Sequence, residues 1–143
     1  MAFVVGKKTV KDTAEFNDYA YGIILPIAKG PTGYFEQAFT SLEQARANLL
    51  NLLLTNKGER VMQPEFGTGL QGLLFEQMAD DLEEKITNTI TENVNFWLPY
   101  INIELIDIQM SDEMKDSHVA NININFTVGS NTSTQELTFT IRG

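Results

Sequence analysis

Apolar residues recur along the chain with two different periods, and the change from one to the other divides it. Leu42, Ala45, Leu49, Leu52 and Leu53 follow at three- and four-residue steps, the spacing that lines one face of an α-helix. Leu50 and Leu54 widen that stripe, so the helix is expected to be covered on more than one side. Ser41-Leu42-Glu43-Gln44 in front of it reads as a capping box, with Ser41 capping a free amide and Gln44 reaching back. Asn56-Lys57-Gly58 ends it: Gly58 suits a left-handed cap, and Lys57 lies near the negative helix end. A second helix is predicted from about Asp80, where Asp80, Asp81, Glu83 and Glu84 crowd the positive end of the dipole. Its buried face is Leu82, Ile86, Ile90 and Val94, completed by Trp97, and Pro99 stops it. Between the two helices Glu59 to Gly69 follows no period, and Pro64, Gly67 and Gly69 mark an ordered loop. Leu70 to Met78 then holds a helical turn with Leu73, Leu74 and Phe75.

After Pro99 the period becomes two. Ile101, Ile103 and Leu105 alternate with polar residues, and Ile106, Ile108 and Met110 continue in the opposite phase. A one-residue slip inside a strand is the mark of a β-bulge. Ile122, Ile124, Phe126 and Val128 alternate with asparagine and threonine, and Leu137, Phe139 and Ile141 form a third such row. Ser111–Ser117 and Gly129-Ser130-Asn131 are the expected turns between the strands. Ahead of the first helix, residues 1–20 read as an extended arm. Tyr21–Ala28 and Tyr34–Thr40 read as a loose hairpin around Lys29–Gly33, with Pro26 confining its strand to an edge. The expected fold is α+β: two main helices packed on a three-stranded antiparallel sheet, with an N-terminal arm and hairpin. All of it is expected as one domain over 1–143, with the arm and hairpin in 1–40 and the core in 41–143.

Composition narrows the function more than the fold. A chain of 143 residues can bury roughly 70% of its unfolded surface and needs no staples. There is no cysteine, so disulfides, thiolate metal sites and a thiol nucleophile are excluded. A net charge of −9 opposes phosphate backbones and argues against nucleic acid as a partner. The same charge favours basic protein surfaces, or simply solubility. No run approaches the roughly 20 apolar residues of a membrane span, and Met1–Val5 lacks the leading positive charges of a signal peptide.

Candidate chemistry is sparse. His118 is the lone histidine, at a turn-to-strand boundary, and a surface or structural role is preferred to a catalytic one. Glu65 and Glu76 flank the glycine-rich loop, but a glycosidase needs its carboxylates facing each other roughly 5 to 9.5 Å apart, which sequence spacing does not establish. Lys57-Gly58-Glu59-Arg60 lacks the spacing of a phosphate-binding loop and follows a helix instead of a strand. Arg60 either meets a partner's carboxylate or pairs internally with Glu65. The last strand is expected at a sheet edge, where Thr138 and Thr140 face outward and only Glu136 could act as a gatekeeper. Such an edge can receive a partner's strand.

The run Leu52–Phe75 resembles a known signature: a leucine-rich helix, then Thr55, Lys57-Gly58-Glu59-Arg60, Pro64-Glu65-Phe66-Gly67, Leu70 and Leu74-Phe75-Glu76. It is the signature of the baseplate wedge family of contractile-tailed phages, which has relatives in type VI secretion baseplates. The resemblance covers roughly residues 41–143. It implies a small α+β domain of the tail baseplate, made and assembled in the host cytoplasm and incorporated into the virion. It further implies docking on other wedge proteins and a strand that starts polymerisation of the tail sheath, with no enzymatic activity, cofactor or small-molecule substrate. The implied partner-binding residues are Arg60, Glu65 and Phe66 in the loop, and Leu137, Thr138, Phe139, Thr140 and Ile141 in the last strand. Many relatives carry Glu-Pro-Arg after the second helix, where this chain has Leu98-Pro99-Tyr100. Only the proline is kept, so the charged docking contact is not carried over: either contact at that corner is apolar, through Trp97, Leu98 and Tyr100, or its partner has changed too. Members of the family are sometimes called gene twenty-five-like lysozymes, and a peptidoglycan-cleaving enzyme is therefore one rival reading. A type VI secretion baseplate component is the other.

Overall fold

The computed structural model describes residues 19–30, 33–75, 81–110, 118–129 and 133–142, without the side chain of Phe75. Residues 1–18 of the expected arm, Pro31 and Thr32, Glu76–Asp80, and the turn residues Ser111–Ser117 and Ser130–Asn131 lie outside them. The chain divides into two compact units, residues 1–48 and 49–143.

In the first unit β1 (Gly22–Ile23) pairs antiparallel with β2 (Gln37–Ala38), Gly22 opposite Ala38 and Ile23 opposite Gln37. Tyr21 N donates to Ala38 O at 2.8 Å and Ile24 N to Glu36 O at 3.0 Å. This is the expected hairpin, kept short because Pro26 has no amide with which to extend the ladder. Helix α1 (Ser41–Leu54) follows. Its N-terminal box lies one residue earlier than the sequence pattern suggests: Thr40 Oγ1 accepts from Glu43 N at 3.2 Å, and Glu43 Oε2 accepts from Thr40 N at 3.4 Å and Phe39 N at 3.0 Å. Thr40–Glu43 and Ser41–Gln44 both fit the box spacing. The carboxylate prevails because it accepts two amides with charge assistance, whereas an amide side chain does so more weakly. Gln44 instead donates along the helix to Asn48 Oδ1 at 2.8 Å.

The second unit holds the remainder of α1, then α2 (Leu70–Phe75), α3 (Leu82–Trp97) and the strands β3 (Ile101–Gln109), β4 (Val119–Val128) and β5 (Gln135–Arg142). The strands form one antiparallel sheet in the order β3-β4-β5. The register shifts between Ile103 and Leu105, at the phase slip in the apolar pattern. The extra residue lets Ile103, Ile106 and Ile108 stand opposite Phe126, Ile124 and Ile122, so one face stays apolar on both sides of the bulge. Leu105 falls on the other face, opposite Asn125, and is exposed.

The apolar face continues into β5, where Leu137 and Phe139 oppose Ile124 and Ile122, and Ile141 opposes Ala120. Helix α3 lies along β3, and α2 lies against both α3 and β5. Leu70 and Leu74 of α2 and Leu82, Ile86, Ile90 and Val94 of α3 are buried. A fully buried aliphatic side chain contributes about 1.5–3 kcal/mol, so this layer is the main source of stability. Helix α3 ends where Pro99 requires: Leu98 N makes the last helical bond, to Val94 O at 2.8 Å, and the chain turns into β3. Leu105 is thus not part of the core, and neither is Leu54. Leu54 is the last residue of α1 and is half exposed.

Candidate protein-binding site

The loop after α1 is built by its own polar groups. The last carbonyls of a helix have no partner within it. Here Thr68 Oγ1 donates to Leu53 O at 2.9 Å and Thr68 N donates to Thr55 O at 3.0 Å, so the far end of the loop satisfies them. Thr55 Oγ1 donates back to Asn51 O. Gly58 N donates to Pro64 O at 2.7 Å and closes the loop at its waist. The Glu59 carboxylate accepts from Asn56 N and Asn56 Nδ2, both at 3.0 Å, and Asn56 Nδ2 also reaches Gln71 Oε1 at 2.7 Å. Gly67 has φ +117, and a Cβ there would run into the Thr55 carbonyl, so no other residue fits. Gly58, at φ +90, is the expected left-handed residue after α1. Most of the signature is thus used to shape the loop.

What the loop presents is separate from what folds it. The Arg60 guanidinium lies over the Phe66 ring, 3.8 Å from its centroid. Of the groups the sequence put beside Arg60, the one it meets in the fold is Phe66. A cation on an aromatic face gains from the ring's electron density and gives up less hydration than an ammonium would. Phe66 meets Trp97 edge to face at 5.2 Å, and Trp97 meets Phe96 in the same manner at 5.1 Å. Arg60, Phe66, Trp97 and Phe96 thus form a continuous row joining the loop to the end of α3. Phe96 is 75% exposed and Tyr100, just beyond, 40%. Leu98 is buried, so its side chain stands behind this surface. Sequence reasoning passed over Phe96 because it falls outside the buried stripe of α3; its signal is that same misfit, a large ring on the polar side of a helix. Val61 and Met62, also passed over, are more than 90% exposed between the turns Arg60–Gln63 and Gln63–Phe66.

The second place where candidate residues gather is the β5 edge of the sheet. Leu137, Phe139 and Ile141 point into the core, and Glu136, Thr138, Thr140 and Arg142 point outward. Thr138 Oγ1 donates to Asn123 Oδ1 at 3.4 Å, Thr140 Oγ1 to Asn121 Oδ1 at 2.7 Å, and Asn123 Nδ2 to Glu136 Oε1 at 2.6 Å. The opposite edge, β3, differs: it is kinked by the bulge and carries Glu104 and Asp107. Bulges and charges are the usual protection of an edge.

Residues 40–133 match the model of the baseplate wedge protein gp25 family. The chain belongs to that family. It is by family a baseplate protein, and solved structures share its fold. A crystal structure from Geobacter sulfurreducens, provisionally named a tail lysozyme, has 24% identity and a TM-score of 0.63, covering 72% of this chain and 91% of its own. A chain of the anti-feeding prophage baseplate has 21% identity and a TM-score of 0.54, with 82% and 81% covered. A chain of the type VI secretion baseplate complex has 14% identity and a TM-score of 0.50, with 66% and 87% covered. No curated protein matches it.

The remaining candidates of this gp25-family chain are Glu65, Glu76 and His118. Glu65 is exposed on the loop, and Glu76 lies outside the described residues. His118 opens β4 with φ 53, a left-handed conformation that histidine adopts more readily than most residues.

Proposed function

We propose that this protein is a non-enzymatic assembly component of a contractile-tail baseplate, which docks on other wedge proteins and starts the tail sheath by receiving a sheath strand at β5. The observation that carries the reading is the contrast between the two edges of the sheet. β3 is bulged and acidic, whereas β5 is regular and presents threonine over its centre. Backbone pairing at such an edge supplies affinity without a pocket. For the wedge partners we assign the row Arg60, Phe66, Trp97 and Phe96, with Tyr100 beside it. Arginine and large aromatic side chains dominate the energetics of protein interfaces, and here they are held in place by one another. The occurrence of the same fold in two solved baseplates supports this reading. The site of action is accordingly the virion's tail baseplate, reached after assembly in the host cytoplasm.

The test is a co-expression pull-down with the sheath subunit encoded in the same genome, using Thr138→Lys with Thr140→Lys. Both side chains are exposed, so the variant should keep its fold, at a small cost in melting temperature from the lost bonds to Asn123 and Asn121, while lysines on an edge oppose strand addition. Loss of sheath capture by the folded variant is the expected result. Capture equal to that of the natural chain would remove β5 from the interface.

A further inference from the structure

We propose that the strand received by β5 runs antiparallel to it and carries a basic residue opposite Glu136, an acidic residue opposite Arg142 and uncharged residues between them. This rests on the strand-addition reading above and specifies the partner.

The outward row of β5 is Glu136, Thr138, Thr140 and Arg142, so its charges stand at the two ends with opposite signs. They are six residues apart, about 20 Å along a strand rising about 3.3 Å per residue. Asn123 holds the Glu136 carboxylate over the polar face at 2.6 Å. The hydroxyls of Thr138 and Thr140 donate inward to Asn123 and Asn121. A charged side chain placed opposite either threonine would find no counter-charge there and would lose hydration. At the ends it would find one. Opposite charges directly across a pair of strands stabilise the pairing, and like charges oppose it.

The arrangement sets register as well as affinity. A slip of one residue would turn the partner's apolar row outward, which the buried face of the sheet already forbids. A slip of two keeps the apolar row inward, and only the terminal charges discriminate against it. Direction follows too. The rest of the sheet is antiparallel, and antiparallel pairs are slightly the more stable. In that direction the partner's acidic residue precedes its basic one. Attraction at long range has the same sign: residues 49–143 hold fourteen acidic and five basic side chains, whereas residues 1–48 hold five of each. A partner that is basic overall is drawn to the unit that contains β5.

The experiment measures binding of two labelled synthetic peptides to the full chain by fluorescence anisotropy. Both have the same composition and alternation; one places Asp before Lys at the spacing of Glu136 and Arg142, and the other places Lys before Asp. The Asp-first peptide should bind about fivefold to tenfold more tightly, as expected for two cross-strand charge pairs exchanged for two repulsions. Glu136→Lys with Arg142→Glu should reverse the preference without unfolding the protein. Equal binding of the two peptides would overturn the charge register while leaving the edge in use. Preference for the Lys-first peptide would overturn the antiparallel direction. Binding of neither would overturn strand addition itself.

Discussion

The loop after α1 and the strand β5 both hold candidate partner-binding residues, but they divide their side chains differently. In the loop, Thr55, Gly58, Glu59 and Gly67 are committed to the loop's own hydrogen bonds and turns, and the surface is left to Val61, Met62, Glu65 and the Arg60–Phe66 stack. In β5 the division is by alternation: every second residue belongs to the core, and what faces a partner is the backbone edge with Glu136, Thr138, Thr140 and Arg142. A motif recognisable in sequence can therefore identify a shape instead of a contact. A strand with no striking residue can be the contact, because backbone pairing asks little of side chains.

That division can be tested from each side. Leu137→Ala should have the largest effect, a loss of about 4 kcal/mol of stability, because Leu137 is 1% exposed opposite Ile124 and its removal leaves a cavity. Chemical denaturation measures it. A loss below about 1 kcal/mol, smaller than any buried leucine-to-alanine change in the usual range, would mean that β5 is not tied into the core. Gly67→Ala should follow, at about 3 kcal/mol. Its cost combines a positive φ with a Cβ pressed on the Thr55 carbonyl, and backbone cannot move aside as a side chain can. Its measurable consequence is a lower melting temperature together with faster amide exchange at Thr68, whose N–H bonds to that carbonyl. Ordinary exchange there would show that the loop folds without its glycine.

How much of this was legible in the sequence depended on whether a period governed it. The bulge in β3 was readable because alternation in a half-buried strand is strict, and Leu105 next to Ile106 breaks it visibly. The α3 stripe from Leu82 to Val94 was readable for the same reason at a longer period. The N-terminal box of α1 was misplaced by one residue because two overlapping four-residue windows satisfy the same rule, and only the acceptor strength of Glu43 separates them. The stacking of Arg60 on Phe66, and of Phe66 on Trp97, had no signal at all. They join an aperiodic loop to a helix end across about thirty positions, and only the folded loop brings them together. The part played by Thr68 was equally hidden, although a threonine close to the end of a loop that begins at a helix C-terminus is a residue to examine for such a bond.

The smallest expected effect on stability sharpens the comparison most. Val61→Ser together with Met62→Ser alters the two most exposed large apolar side chains of the loop, so the folded state loses almost no burial. Stability should stay within about 0.5 kcal/mol of the natural chain, since the bonds that fold the loop run through Gly58, Asn56 and Thr68 instead. Binding is where the two regions part. If the loop presents what its signature residues shape, the double variant should weaken capture of wedge partners while leaving sheath capture at β5 unchanged, in the same pull-down. A fall in both would mean that one surface serves both partners. An unchanged affinity for the wedge would assign that contact to the Trp97–Phe96 end of the aromatic row, which the same assay with Phe96→Ser would then have to disturb.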